Sequence, residues 1–131
     1  ASLCGVRILV ADDNPANREL ARALLQQFDA EVTEAIDGAQ AVALASETPF
    51  DVILMDLRMP VLDGRGALQS IRAKAGPNRD APIFAFTADT ADTVDCGVGR
   101  FDGVIGKPIV AADMIGRLIQ ATMCQSLEIV P

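Results

Sequence analysis

Histidine is absent from the 131-residue chain. That excludes Ser-His-Asp and Cys-His nucleophile pairs, His-containing zinc sites and any role for this polypeptide as a phosphohistidine carrier. Cysteine is scarce. Cys4, Cys96 and Cys124 have neither an even count nor metal-ligand spacing, and they point to a reducing, cytoplasmic compartment. No apolar run approaches the ~20 residues that a membrane span needs, and no signal-peptide pattern opens the chain, so membrane contact is not expected. Positive charge is in deficit, with 11 Lys and Arg against 18 Asp and Glu for a net charge of −7. Nucleic acid is therefore not an expected partner, because binding it depends on neutralising phosphates with cations.

What is present suffices for one ordered domain. Half of the residues are apolar and 22% are charged, a balance that favours a packed core over disorder. Residues 1–5 read as an N-terminal extension, 6–123 as the domain and 124–131 as a C-terminal tail, part of it an addition made for expression. Because it starts at Ala1 rather than Met, the sequence reads as a fragment or processed form of a longer chain.

Short apolar runs alternate with helical stripes along the whole domain. Val6 to Ala11 is a near-continuous apolar run suited to a strand buried on both faces. Asn14-Pro15 then supplies a cap and a first helical residue, and Leu20, Leu24, Leu25 and Phe28 place a helix over 15–28. Strands are expected at 31–36, 52–55, 83–86 and 104–105. Helices are expected around Ala41 to Ala45, over 64–75 with Asp63 as its cap, and over 111–123. Residues 88–102, with few apolar positions and two glycines, predict a short or poorly ordered fourth helix. Five strand-helix units imply an α/β fold, a doubly wound (βα)5 domain with a parallel sheet of order 2-1-3-4-5 and helices on both faces.

In such a sheet, ligands bind beyond the carboxyl ends of the strands where the strand order reverses. The residues just past those ends are Asp12 and Asp13, Asp56, Thr87 and Lys107. Three acids in one crevice repel: two unit charges ~5 Å apart at an effective dielectric near 20 cost roughly 3 kcal/mol. A cation is the natural remedy. Oxygen donors without His or Cys favour a hard ion such as Mg²⁺, with Mn²⁺ as an alternative. A metal-neutralised carboxylate beside a hydroxyl and an ammonium suits phosphoryl transfer, with a carboxylate as acceptor.

Taken singly, each residue has an ordinary reading. Asp12-Asp13 could place negative charge at a helix N-terminus, Asp56 could be a turn residue and Thr87 a helix cap. Lys107 is one of two lysines, and the other, Lys74, suits the end of the third helix. Coincidence at four strand ends argues against chance. Met55, Met59, Met114 and Met123 read as packing. Asp89, Asp92 and Asp95 read as a solvated face, and nothing near Cys96 would activate its thiol.

The segments ILVADDNPANREL (8–20), DVILMDLRMPVLDG (51–64), FAFTA (84–88) and GKPI (106–109) together resemble the receiver domains of two-component response regulators, a flavodoxin-like fold. The resemblance extends over about residues 6–123. It implies that Asp56 is the phosphoacceptor, that Asp13, Asp56 and the backbone carbonyl of Arg58 ligate Mg²⁺, and that Asp12 holds the metal through water. It also implies that Thr87 is the switch hydroxyl, that Lys107 pairs with the phosphoryl group, and that the peptide before Pro108 is cis.

The same resemblance implies that the phosphate comes from a phosphohistidine on a histidine kinase or histidine phosphotransfer partner. The domain would then catalyse its own phosphorylation and dephosphorylation without being a conventional turnover enzyme. DDNPANRELARALL is most similar to receivers fused to hybrid sensor histidine kinases. Two departures concern the readout. Val104 stands where the family usually has Tyr or Phe, and the stretch from Thr87 to Lys107 is about two residues short. By the same resemblance, Arg58 and Asp89 stand at positions where the family tunes phosphoryl lifetime. Competing readings are a stand-alone regulator, a degenerate receiver used for docking, and an aspartate-nucleophile phosphohydrolase. The last lacks the Asp-x-Asp arrangement after strand one and a cap insertion for substrate selection.

Overall fold

The computed structural model describes residues 5–57, 59, 61–73, 81–87, 103–106, 112–116 and 118–120. Its elements run β1 (Arg7–Ala11), α1 (Pro15–Gln26), β2 (Glu31–Ala35), α2 (Gly38–Glu47), β3 (Val52–Asp56), α3 (Gly64–Ala73), β4 (Ile83–Thr87) and β5 (Gly103–Gly106). Residues 112–116 and 118–120 are helical. The strands form one parallel sheet in the order β2-β1-β3-β4-β5, the expected doubly wound arrangement.

Side-chain alternation along the strands divides the core in two. Ile8, Val10, Val52, Leu54, Phe84 and Phe86 face the side covered by α1 and the C-terminal helical residues, where Leu25, Met114 and Leu118 pack. Leu9, Ala11, Ile53, Met55 and Ile83 face the other side, against Ala41 and Ala45 of α2 and Ala67, Leu68 and Ile71 of α3. Every residue of β3 is buried, as its apolar run requires of a central parallel strand. Truncating a fully enclosed side chain such as Leu25 costs on the order of 2–5 kcal/mol.

Local chemistry sets the helix starts. Asn14 accepts from Ala16 N (2.9 Å), and Asp63 accepts from Gly66 N (2.8 Å); both act as the expected caps. Asp37, which reads in the sequence only as a break, is also a cap and accepts from Gln40 N at 2.7 Å. Gln40 Oε1 in turn accepts from Ile36 N at 2.7 Å, a close variant of the reciprocal capping box.

Element ends differ from the sequence expectation by a residue or two. β3 includes Asp56, paired with Phe86, and β5 extends to Gly103 and Gly106, because ladder pairing is a backbone property that outlasts an apolar run. α1 stops at Gln26 rather than Phe28: the chain turns there, with Asp29 at φ 68° and Ala30 N donating to Leu25 O (3.3 Å). Phe28 still packs on the core.

Candidate functional site at the strand-order reversal

β1 and β3 are neighbours whose chains leave in opposite directions, β1 through α1 toward β2 and β3 through α3 toward β4. Their carboxyl ends therefore open a crevice. Asp12, just beyond β1, is fully buried, and its N–H donates to Ala35 O (3.1 Å), prolonging the ladder by one residue. Its Oδ1 accepts from Asn14 N (2.9 Å). That bond curls the chain into the α1 cap and leaves Asp13 exposed. Asp56 ends β3 and is 6% exposed.

Carboxylate oxygens of Asp12, Asp13 and Asp56 lie within 4.8 Å of one another. The structure thus brings together three of the residues singled out from the sequence. Two buried acids and one exposed acid make an all-oxygen donor set with an opening to solvent, which suits a hard divalent ion that keeps water ligands.

The loop after Asp56 is held against the strand end by close packing. Gly64 N donates to Leu57 O (3.0 Å), and a Cβ at position 64 would overlap the carbonyl oxygen of Asp56. A Cβ at Gly38, the first residue of α2, would likewise overlap the carbonyl oxygen of Leu62. Met59 is packed in the core, whereas Val61 is 82% exposed at φ 70°. That left-handed conformation is strained for a β-branched residue.

Thr87 closes β4 opposite Gly106, one position past the Asp56–Phe86 pair; its backbone ends at the same edge as the carboxylates. Arg58, Lys107 and Pro108 lie outside the described residues, as do Asp89, Cys96 and the 88–102 segment. Sequence reasoning missed Arg18. From the second turn of α1 it donates through Nη1 to Asp12 O (2.7 Å), while its Nε lies 3.3 Å from Glu34 Oε1 on β2. Arg22 Nη1 lies 3.2 Å from Glu34 Oε2.

Fold and site define a flavodoxin-like α/β domain with a carboxylate cluster at its switch point. Residues 8–119 match the family described as the response regulator receiver domain. Over 84 residues, 63% of the chain, it is 45% identical to sensor protein GacS of Pseudomonas syringae pv. syringae. Over 115 residues, 83% of the chain, it is 36% identical to sensor histidine kinase AruS of Pseudomonas aeruginosa. It spans 9% and 11% of the length of those two proteins. Among solved structures, it is similar to the receiver domain of sensor histidine kinase PA1611 from Pseudomonas aeruginosa PAO1, which has a magnesium ion coordinated in its active-site cleft. The TM-score is 0.84 and the identity 36%, covering 91% of this chain and 98% of that one. The chain belongs to the response regulator receiver domain family, and its role is that of a phosphoacceptor domain in a two-component phosphorelay. Among the described residues, no helix is long and apolar enough to cross a membrane.

Proposed function

We propose that Asp56 is the phosphoacceptor and that Asp12, Asp13, Asp56 and the backbone carbonyl of Arg58 hold Mg²⁺, Asp12 through water. The observation that carries this reading is the convergence of three carboxylates within 4.8 Å at the crevice between β1 and β3. An Asp56 carboxylate oxygen forms a bond to phosphorus as the P–N bond of a partner's phosphohistidine breaks and the imidazole leaves. When bound, the metal supplies positive charge that offsets the repulsion between acceptor carboxylate and phosphoryl oxygens.

Burial of Asp56 in β3 restricts attack to the open side of the crevice. Thr87, at the end of β4, is proposed to donate a hydrogen bond to a phosphoryl oxygen, and Lys107, following β5, to pair with another. The phosphoryl donor is proposed to be a histidine kinase or histidine phosphotransfer domain. Supporting a hybrid kinase context are the sensor kinases that the chain resembles, of which it spans only a small part. The net charge of −7 repels other polyanions, which supports a domain that touches neither nucleic acid nor an anionic membrane surface; a cytoplasmic location is proposed with the phosphorelay reading.

The test is incubation with Mg²⁺ and acetyl phosphate, read by intact mass, with a beryllofluoride titration followed by NMR. Wild-type protein is expected to gain one phosphoryl group and Asp56→Asn none. An unmodified wild type, or equal modification of Asp56→Asn, would refute the assignment.

A further inference from the structure

We infer that Arg18 is a positioning residue for the metal site, acting through the peptide that joins Asp12 to Asp13, with Glu34 holding it in place. This inference rests on the metal reading above and adds to it a residue to which the sequence reading gave no role. The carbonyl that Arg18 engages, at 2.7 Å, belongs to the peptide between the two acids. Fixing that peptide plane fixes where both carboxylates leave the backbone.

The other face of the Asp12 residue is held by its N–H to Ala35 O and by Oδ1 accepting from Asn14 N. Arg18 adds a restraint from α1 on the carbonyl. Its side chain is 15% exposed, so the bond is shielded from solvent and worth more than a surface contact. The planar guanidinium serves both partners at once, Nη1 to the Asp12 carbonyl and Nε to Glu34, a fork that lysine cannot reproduce. Arg22 shares Glu34 from a more exposed position, at 43%, and among the described residues its side chain bonds Glu34 alone.

The sign of the effect separates positioning from simple charge. Removing a cation near three carboxylates should tighten Mg²⁺ binding by Coulomb's law. Losing the restraint on the Asp12–Asp13 peptide should weaken it, as loss of groups that orient metal ligands does. Loss of charge alone can only tighten binding at either position, so weakening in Arg18→Met reports positioning, and Arg22→Met controls for the loss of an arginine from Glu34.

The experiment is a Mg²⁺ titration of the 131-residue chain, followed by amide shifts or calorimetry, alongside melting in EDTA. Arg18→Met is expected to bind Mg²⁺ about fivefold more weakly, less than the roughly 10–100-fold that loss of an orienting partner costs because the lost positive charge offsets part of it. Arg22→Met is expected to bind as tightly as wild type or up to about twofold more tightly. Arg18→Lys is expected to fall between wild type and Arg18→Met, and it carries the test if the methionine variant does not fold. Unchanged or tighter binding in the Arg18 variants, or equal weakening in Arg22→Met, would overturn the inference while leaving the metal site standing. Absence of Mg²⁺ binding in the wild type would overturn the site reading itself.

Discussion

The two acids that flank the crevice differ in what backs them. Asp12, on the β1 side, is fixed by hydrogen bonds: to Ala35 O, from Asn14 N to its carboxylate, and from Arg18 to its carbonyl. Asp56, on the β3 side, is backed by steric closeness, with Gly64 against its carbonyl and Gly38 against the carbonyl of Leu62 in the loop that follows. The cores beneath differ in the same way. Phe84, Phe86, Leu25 and Met114 fill the α1 side, while Ala41, Ala45 and Ala67 let α2 and α3 come close on the other. A hydrogen-bonded wall can lose one bond for about 1 kcal/mol. A close-packed wall cannot accept one extra methyl, because the obstacle is backbone and does not rotate away.

The largest effect should therefore come from the smallest addition. Gly64→Ala places a Cβ against the Asp56 carbonyl and Leu57 Cα, and it is expected to cost about 3 kcal/mol in denaturant unfolding and to weaken acceptor phosphorylation. Stability within about 0.5 kcal/mol of wild type would show that the wall can give. Asn14→Ala, on the hydrogen-bonded side, is expected to cost about 1 kcal/mol by loss of the α1 cap; a loss as large as that of Gly64→Ala would erase the contrast. Gly116→Ala is the control. Gly116 is helical, and a Cβ there meets nothing within 4 Å, so the substitution is expected to raise stability by roughly 0.5–1 kcal/mol. The same change of one methyl would then take opposite signs at positions 64 and 116.

How much of this was legible in the sequence follows from which signals are local. The apolar runs of β1 and β3 and the acids that end them are contiguous, so Asp12, Asp13 and Asp56 could be placed at one edge from strand order alone. The caps Asn14 and Asp63 could be read from their immediate neighbours. Asp37 carried the same signal, an acid three residues before Gln40 and just ahead of a helix, and could have been found by it. Arg18 could not. Its bond to Asp12 O depends on how α1 is rotated about its axis, and Glu34 comes from the adjacent strand. The approach of Gly38 to Leu62 joins segments with no sequence relation. Polar and steric contacts between elements are tertiary facts that periodicity does not encode.

Val61 shows what a loop anchored on both sides of a residue permits. Its backbone is left-handed, a conformation its side chain disfavours by ~1–3 kcal/mol, and that side chain meets mostly solvent. Its neighbours are anchored, Leu57 and Leu62 against Gly64 and Gly38 and Met59 in the core, so the course of the loop is not set by residue 61. Position 61 is thus a place to attach a spectroscopic reporter close to Asp56 in the chain while leaving both cores untouched.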